Sequence, residues 1–309
     1  MSDNREDETS PADGLTSDRA AAIAAAAFPA LTPVRADYLG EGCDSVAFVV
    51  NDALVFRFPK RDDVAEQLLR EVHLLPHVAR HVPLPIPVYS HVGQPSRLFP
   101  RPFGAYPMLA GTPAIHFEPA VLPRDTIARA LAGILSGLHA WDRDDAVQRL
   151  IPSTDVDALI KEVRTDALDD FDLVAREAPG RPLEDWHAYI SDPPAATDGA
   201  EPVVVHGDLA AEHVLFDGAT RTVTGVIDWS EIALADAAMD FAGVFHWGGQ
   251  ELMNAVLQLY TGAAATPGTL LRARYLAACR GVCDVGFGID MKRPEYVRSG
   301  VRALELCTR

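Results

Sequence analysis

The sequence predicts an α+β protein of two lobes, a small β-rich N-lobe followed by a larger, mostly helical C-lobe. Three observations predict it. Short apolar runs punctuated by glycine, asparagine and aspartate occupy residues 34–58 and 97–108, the pattern of hairpin strands. Apolar residues at helical spacing dominate 126–141, 156–177 and 237–309. Between the two regimes lies Tyr106-Pro107-Met108-Leu109-Ala110-Gly111, a segment suited to a hinge. The length of 309 residues agrees, since lobes run to roughly 100–200 residues each.

The elements follow in order. Residues 1–16 are acidic and polar and read as a disordered tail. Ser17 or Asp18 caps a helix that runs to Phe28 and stops at Pro29. Residues 39–44 form a glycine-containing turn, 45–50 a strand, Asn51-Asp52 a tight turn and 53–58 a second strand. A helix over 64–79 places Val64, Leu68, Val72 and Leu75 on one face, and the prolines of 82–89 end it. Residues 97–108 add a hairpin strand. The N-lobe thus spans 17–105, the hinge 106–111 and the C-lobe 112–309.

In the C-lobe, Ile127, Leu131, Ile134, Leu135 and Leu138 share a helix face. A Pro/Gly/Asp-rich loop covers 191–201, and short strands fall at 203–205, 214–216 and 223–227. No internal repeat is visible.

Composition narrows the function. Lys+Arg 27 against Asp+Glu 44 gives a formal net charge of −17. That balance argues against nucleic acid or an anionic membrane as partner, because both would be repelled. The longest apolar stretch, 20–28, is too short to span a bilayer, and the acidic opening is unlike a signal peptide. Cys43, Cys279, Cys283 and Cys307 form no CxxC pair, which suits a reducing cytoplasm. Cys279 and Cys283 share a helix face and read as packing, and Cys43 reads as a buried, inert thiol.

The stretch richest in chemistry is Val203-Val-Val-His-Gly-Asp-Leu-Ala-Ala-Glu-His-Val-Leu-Phe-Asp217. An apolar strand delivers His206-Gly207-Asp208 into a loop, a second strand begins after His213, and a third ends at Asp228-Trp229. Phosphoryl transfer depends chiefly on positioning and charge neutralisation. It needs one carboxylate to orient the attacking hydroxyl and ligands that hold Mg²⁺ on the phosphates. The spacing H-x-D-x-x-x-x-ligand, followed by a strand-terminal Asp, supplies them in kinases.

The residues 206–217 with Val226-Ile-Asp-Trp229 resemble the aminoglycoside phosphotransferase family, which includes the macrolide phosphotransferases and has a protein-kinase-like fold. The resemblance covers most of 17–309 and is closest to the 2''-aminoglycoside and macrolide 2'-phosphotransferases. It implies Asp208 as catalytic base and Asp228 as the main Mg²⁺ ligand, with ATP or GTP as phosphate donor. His213 stands where most kinases carry Asn. Magnesium favours oxygen ligands, but family members with His here make His213 a metal-site residue, directly or through water.

Residues 40–60 also resemble the 2''-aminoglycoside branch. Gly40-Glu41-Gly42-Cys43-Asp44-Ser45 falls where a nucleotide-covering loop belongs, making Gly42 and Ser45 nucleotide-binding candidates. The kinase strand lysine aligns with Arg57. Strand alternation puts Arg57 beside Val55 and opposite Phe56 and Phe58, a cation amid apolar residues. Arg holds phosphate bidentately, so the replacement is chemically reasonable. Lys60 is the runner-up and reads as solvated. Glu71 would pair with Arg57, and Tyr106, Met108 and Leu109 would meet the base.

Asp236 reads as a helix cap, Asp240 as a brace for the catalytic loop and His139 as a core histidine. The implied acceptor is a hydroxyl on a small-molecule antibiotic, an aminoglycoside or macrolide, with resistance as the outcome. Glu231, Glu251, Asp284, Asp290 and Glu295 are candidate amine contacts, while Phe245, Trp247 and Met253 would suit a less cationic acceptor. A metabolic small-molecule kinase and a pseudokinase-type binding module are the alternatives.

Overall fold

The computed structural model describes residues 14–142, 147, 149–195 and 201–308. The tail expected over 1–16 falls mostly outside them, as does part of the loop 191–201. The chain divides into two compact units, residues 1–77 with 86–109, and residues 78–85 with 110–309.

In the first unit, α1 (Ser17–Ala27) is capped by Thr16, whose hydroxyl accepts from the Arg19 N–H at 3.3 Å. The cap thus lies one residue before the expected Ser17 and two before Asp18. Then come β1 (Ala36–Glu41), β2 (Ser45–Val50), β3 (Leu54–Pro59), α2 (Asp62–Val78), β4 (His91–Gly93) and β5 (Phe103–Pro107). They make one antiparallel sheet ordered β1-β2-β3-β5-β4. Asn51 and Asp52 turn the β2–β3 connection at φ 52° and 56°, a region these two residue types tolerate.

The glycine segment is more extended than its composition suggested. Gly40 pairs with Ala47 beyond a bulge, so the true turn shrinks to 42–44. Residues 97–102 are not strand, because the Ser96 hydroxyl accepts from the N–H groups of Leu98 and Phe99 and curls the chain.

Period-two alternation explains the sheet's two faces. Phe48, Phe56, Phe58 and Phe103 point to one side and bury with Phe99 against Ile23 and Ala24 of α1. Each such aromatic contributes on the order of 1.5–3 kcal/mol. Arg57 points to the other side, where α2 presents Leu68 over Gly104 and Glu71 to Arg57.

The second unit contains β6 (Thr112–Pro113), α3 (Arg124–His139), α4 (Val156–Glu177), α5 (Leu183–Ser191), β7 (Val203–Val205), β8 (Val214–Asp217), β9 (Thr222–Val226) and β10 (Ala233–Ala235), followed by α6 (Ala238–Leu257), α7 (Pro267–Asp290) and α8 (Pro294–Cys307). The short strands β6-β8-β9 form one sheet and β7 pairs with β10 in another. Helix α7 packs against α4, α6 and α8. Caps set the starts of α4 and α7. Asp155 accepts from the N–H groups of Asp157 and Ala158, and Thr266 accepts from the Thr269 N–H just outside Pro267.

Phe245 and Met253 are 3% and 0% exposed, so they are core residues and not acceptor contacts. Helix α6, which carries them, packs against α3, α7 and α8. Trp247 alone of the three lines a cavity, of about 650 Å³, shared with Arg124, Arg274 and Arg302.

Candidate active site

The loop after β7 is held from below. Asp240, fully buried in the first turn of α6, accepts from the backbone N–H groups of His206 at 3.1 Å and Gly207 at 3.0 Å. His139 braces the same carboxylate at 3.2 Å and meets the Tyr260 hydroxyl at 2.9 Å, as a satisfied core histidine does. Asp236 caps α6 through the Ala238 N–H and forms a buried ion pair with Arg272 at 2.6 Å.

Two glycines make this seating possible. Gly207 has φ +86°, and a Cβ there would fall 2.1 Å from the Glu231 carbonyl oxygen. A Cβ on Gly243 would fall 1.3 Å from the Leu209 carbonyl oxygen, so α6 and the loop touch backbone to side-chain-free backbone. His206 is buried beneath. Its Nδ1 accepts from the Asp208 N–H at 3.2 Å, which leaves Nε2–H to donate to the Ile227 carbonyl at 3.1 Å. Burial lowers its pKa, and the Trp229 ring lies tilted against it at 52° with ring centroids 4.4 Å apart.

Asp208, His213 and Asp228 converge. The His213 Nδ1–H donates to the Asp208 carbonyl at 2.7 Å and lies 3.5 Å from Asp208 Oδ2. On the other side of the ring, Nε2 lies 3.6 Å from Asp228 Oδ2. Asp228 itself has φ 62°, a left-handed conformation uncommon outside glycine and found at functional sites, and Ser230 donates to its Oδ1 at 3.1 Å. Burial pulls the His213 pKa down, but Asp208, Asp228 and Glu212 together outweigh it and hold it above the ordinary histidine value.

With Nδ1 committed as donor, a neutral Nε2 would face a carboxylate with its lone pair. That gap calls for a proton or a cation, so the donor set fits a metal. Among the described residues no group of three or more His, Cys, Asp and Glu side chains makes a cation cage by itself. Magnesium rarely needs one, because it takes one or two protein ligands and completes its shell with water and substrate phosphates.

One residue here was not among the sequence candidates. Arg280 of α7 donates to Asp208 Oδ1 at 2.5 Å and to Glu212 Oε1 at 2.6 Å. Burial would push Glu212 up, yet Arg280 brings its pKa down to about 2. An arginine inside the otherwise uncharged run 276–282 was the available hint, since a charge buried there needs a partner.

In the first unit, Arg57 Nη1 meets Glu71 Oε2 at 3.0 Å, and the hydroxyl of half-buried Tyr89 joins both at 3.2 and 3.1 Å. Glu71 is only 2% exposed, so the pair sits in a low-dielectric setting. Tyr89 was not among the sequence candidates. Lys60 is not the solvated lysine expected, because it pairs with Glu41. Cys43 is exposed, not buried, because it lies in the 42–44 turn outside the sheet's packed face. The Gly42 N–H donates to the Ser45 carbonyl at 3.1 Å, and the buried Ser45 hydroxyl makes no hydrogen bond among the described residues. Tyr106 is buried edge-on to Tyr89, whereas the Met108 side chain is exposed. The Met108 N–H donates to the Ala53 carbonyl at 2.8 Å and so does not face a base. Leu109 is half-buried.

The candidate acceptor acids are scattered. Glu251 pairs with Arg124 at 2.5 Å and Glu295 with Arg293 at 3.0 Å, while Glu231 and Asp290 are exposed. Asp284, buried 2.9 Å from His246, is the member close enough to influence Arg280.

The model of APH, the phosphotransferase enzyme family, matches residues 37–275. The viomycin phosphotransferase of Streptomyces vinaceus is 33% identical over 186 residues, 57% of this chain and 60% of that protein. The chain spans 60% of the length of the curated relatives it matches. The GDP and kanamycin complex of APH(2")-IIia superimposes with a TM-score of 0.69 at 24% identity, covering 93% of this chain and 97% of that one. The macrolide 2'-phosphotransferase type I gives a TM-score of 0.59 at 25% identity over 93% and 96%. The fold is therefore the kinase-like one of these phosphotransferases.

Proposed function

We propose, from the premise that the chain belongs to the APH phosphotransferase enzyme family, that it transfers the terminal phosphate of ATP or GTP to a hydroxyl of a small-molecule antibiotic. The observation that carries this reading is that Asp208 and Asp228 flank one imidazole, each within 3.6 Å of His213. In the reaction, the acceptor oxygen forms a bond to the terminal phosphorus as the bond to the bridging oxygen of the nucleoside diphosphate breaks. Asp208 orients the hydroxyl and takes its proton. Asp228 and His213 would hold magnesium, which when bound neutralises charge on the phosphates. Arg57, fixed by Glu71, serves the nucleotide phosphates as a bidentate donor. Gly42 serves them from the turn and Ser45 from the start of β2, and Tyr106, Met108 and Leu109 serve the base through their side chains and carbonyls.

An aminoglycoside, a macrolide or a peptide antibiotic like that of the S. vinaceus relative is the acceptor class, with resistance as its consequence. Four free cysteines support action in the cytoplasm. The scattering of Glu231, Glu251 and Glu295 favours a second reading, a metabolic hydroxyl acceptor on the same scaffold. Coupled nucleotide turnover with kanamycin, erythromycin and viomycin tests both. We expect at least one to stimulate magnesium-dependent turnover that vanishes in Asp208→Ala. Silence across the panel, with hydrolysis intact, would favour the metabolic acceptor.

A further inference from the structure

A carboxylate that must steer an alcohol needs a fixed rotamer, and Asp208 has an unusual means of fixing it. Its Oδ1 is taken by Arg280 Nη1 at 2.5 Å, while the other arm of the same guanidinium binds Glu212 at 2.6 Å. The planar fork therefore spans the first and fifth positions of the loop 208–212 and ties both to α7. Oδ2 is left over, on the side of His213. Glu212 is 5% exposed in its side chain, and its second oxygen and the Arg280 Nε are buried without a hydrogen bond among the described residues. A charged trio in which Glu212 is buried while Arg280 and Asp208 are half-buried, with two atoms unsatisfied, is a weak stabiliser, because solvent screens the outer pair and the desolvation of Glu212 offsets the Coulombic gain. It suits a requirement for geometry.

We propose that Arg280 is a positioning residue for phosphoryl transfer: anchored by Glu212, it locks Asp208 so that Oδ2 alone meets the acceptor hydroxyl. The inference rests on the phosphotransferase reading above. Lysine keeps the charge but cannot hold both acids in one plane. Misplacing a reacting group by about 1 Å costs about 10²-fold in rate.

Turnover is read as nucleoside diphosphate release from Mg·ATP or Mg·GTP, using the best acceptor among kanamycin, erythromycin and viomycin, or water where none stimulates. Three variants are compared: Arg280→Lys, the charge-free pair Arg280→Met with Glu212→Leu, and Asp208→Asn. We expect kcat to fall about 10–100-fold in the first two, with nucleotide KM and binding stoichiometry unchanged and melting temperature retained in at least one. A merely structural residue would lower stoichiometry or stability instead. The proposal is overturned if kcat in both stays within twofold of the parent, or if the loss lies wholly in acceptor KM. Full turnover in Asp208→Asn would sink the functional reading itself. An inactive Asp208→Asn beside unaffected Arg280 variants would sink this inference alone.

Discussion

Asp240 does more for the site than any residue that would touch substrate. It gives one oxygen to the His206 N–H and the other to the Gly207 N–H, in a place closed to water. Removing it orphans the buried His206 N–H and the half-buried Gly207 N–H, at up to about 1–3 kcal/mol each. Asp240→Ala is expected to lower unfolding free energy by about 2–4 kcal/mol in urea titration, given partial relaxation. His206 predicts a pH dependence. Its folded pKa lies below the ordinary 6.5 because burial disfavours the cation. Above 6.5 both folded and unfolded chains hold it neutral, and it has no effect. Below 6.5 the unfolded chain takes a proton that the folded one resists, so stability falls with falling pH. His213 has its pKa raised and works in the opposite sense. Comparison with His206→Gln isolates the first term. The decline in stability from about pH 6.5 to 5.5 should be shallower in the variant, and an equal slope would count against a neutral buried His206.

The elements that place these residues are unequally visible in the sequence. Helix α4 and strand β7 were legible to the residue, because Asp155 caps one and a three-valine run makes the other. The loop residues Asp208, His213 and Asp228 stood out because strand ends punctuate them. Helix α5 was not legible, since Pro182 precedes it and only Trp186 and Ile190 of its nine residues are buried. Strand β10 is three residues and is held by tertiary pairing, with β7 on one side and the Ser153 bridge on the other. Arg280 reaches Glu212 from 68 residues away, a contact no local pattern can reveal. The acceptor side failed for a related reason. Phe245 and Met253 looked available because hydrophobic composition does not say which way a helix turns. Packing of α6 on the loop yields the prediction at this scale. Gly243→Ala drives a methyl group into the Leu209 carbonyl, so the variant should lose at least about 2 kcal/mol of stability and most of its turnover. A Gly243→Ala protein with parental melting temperature would show that helix and loop are not in register as described.

At the scale of the whole molecule, each unit carries its own core and its own share of the candidate residues. The first unit's sheet buries phenylalanines on one face and frees the other for Arg57, Glu71 and Tyr89. The second unit carries Asp208, His213 and Asp228. Among the described residues no helix is long and apolar enough to cross a membrane. The family match extends across residues 37–275 and so spans parts of both units. The most direct test of the account is mass spectrometry of the acceptor antibiotic after incubation with nucleotide and magnesium, for the parent chain and Asp208→Asn side by side. The account predicts one added phosphoryl group per acceptor with the parent, and a yield lower by about 10²–10⁴-fold with Asp208→Asn at undiminished nucleotide binding. Equal phosphorylation by the two proteins would contradict it.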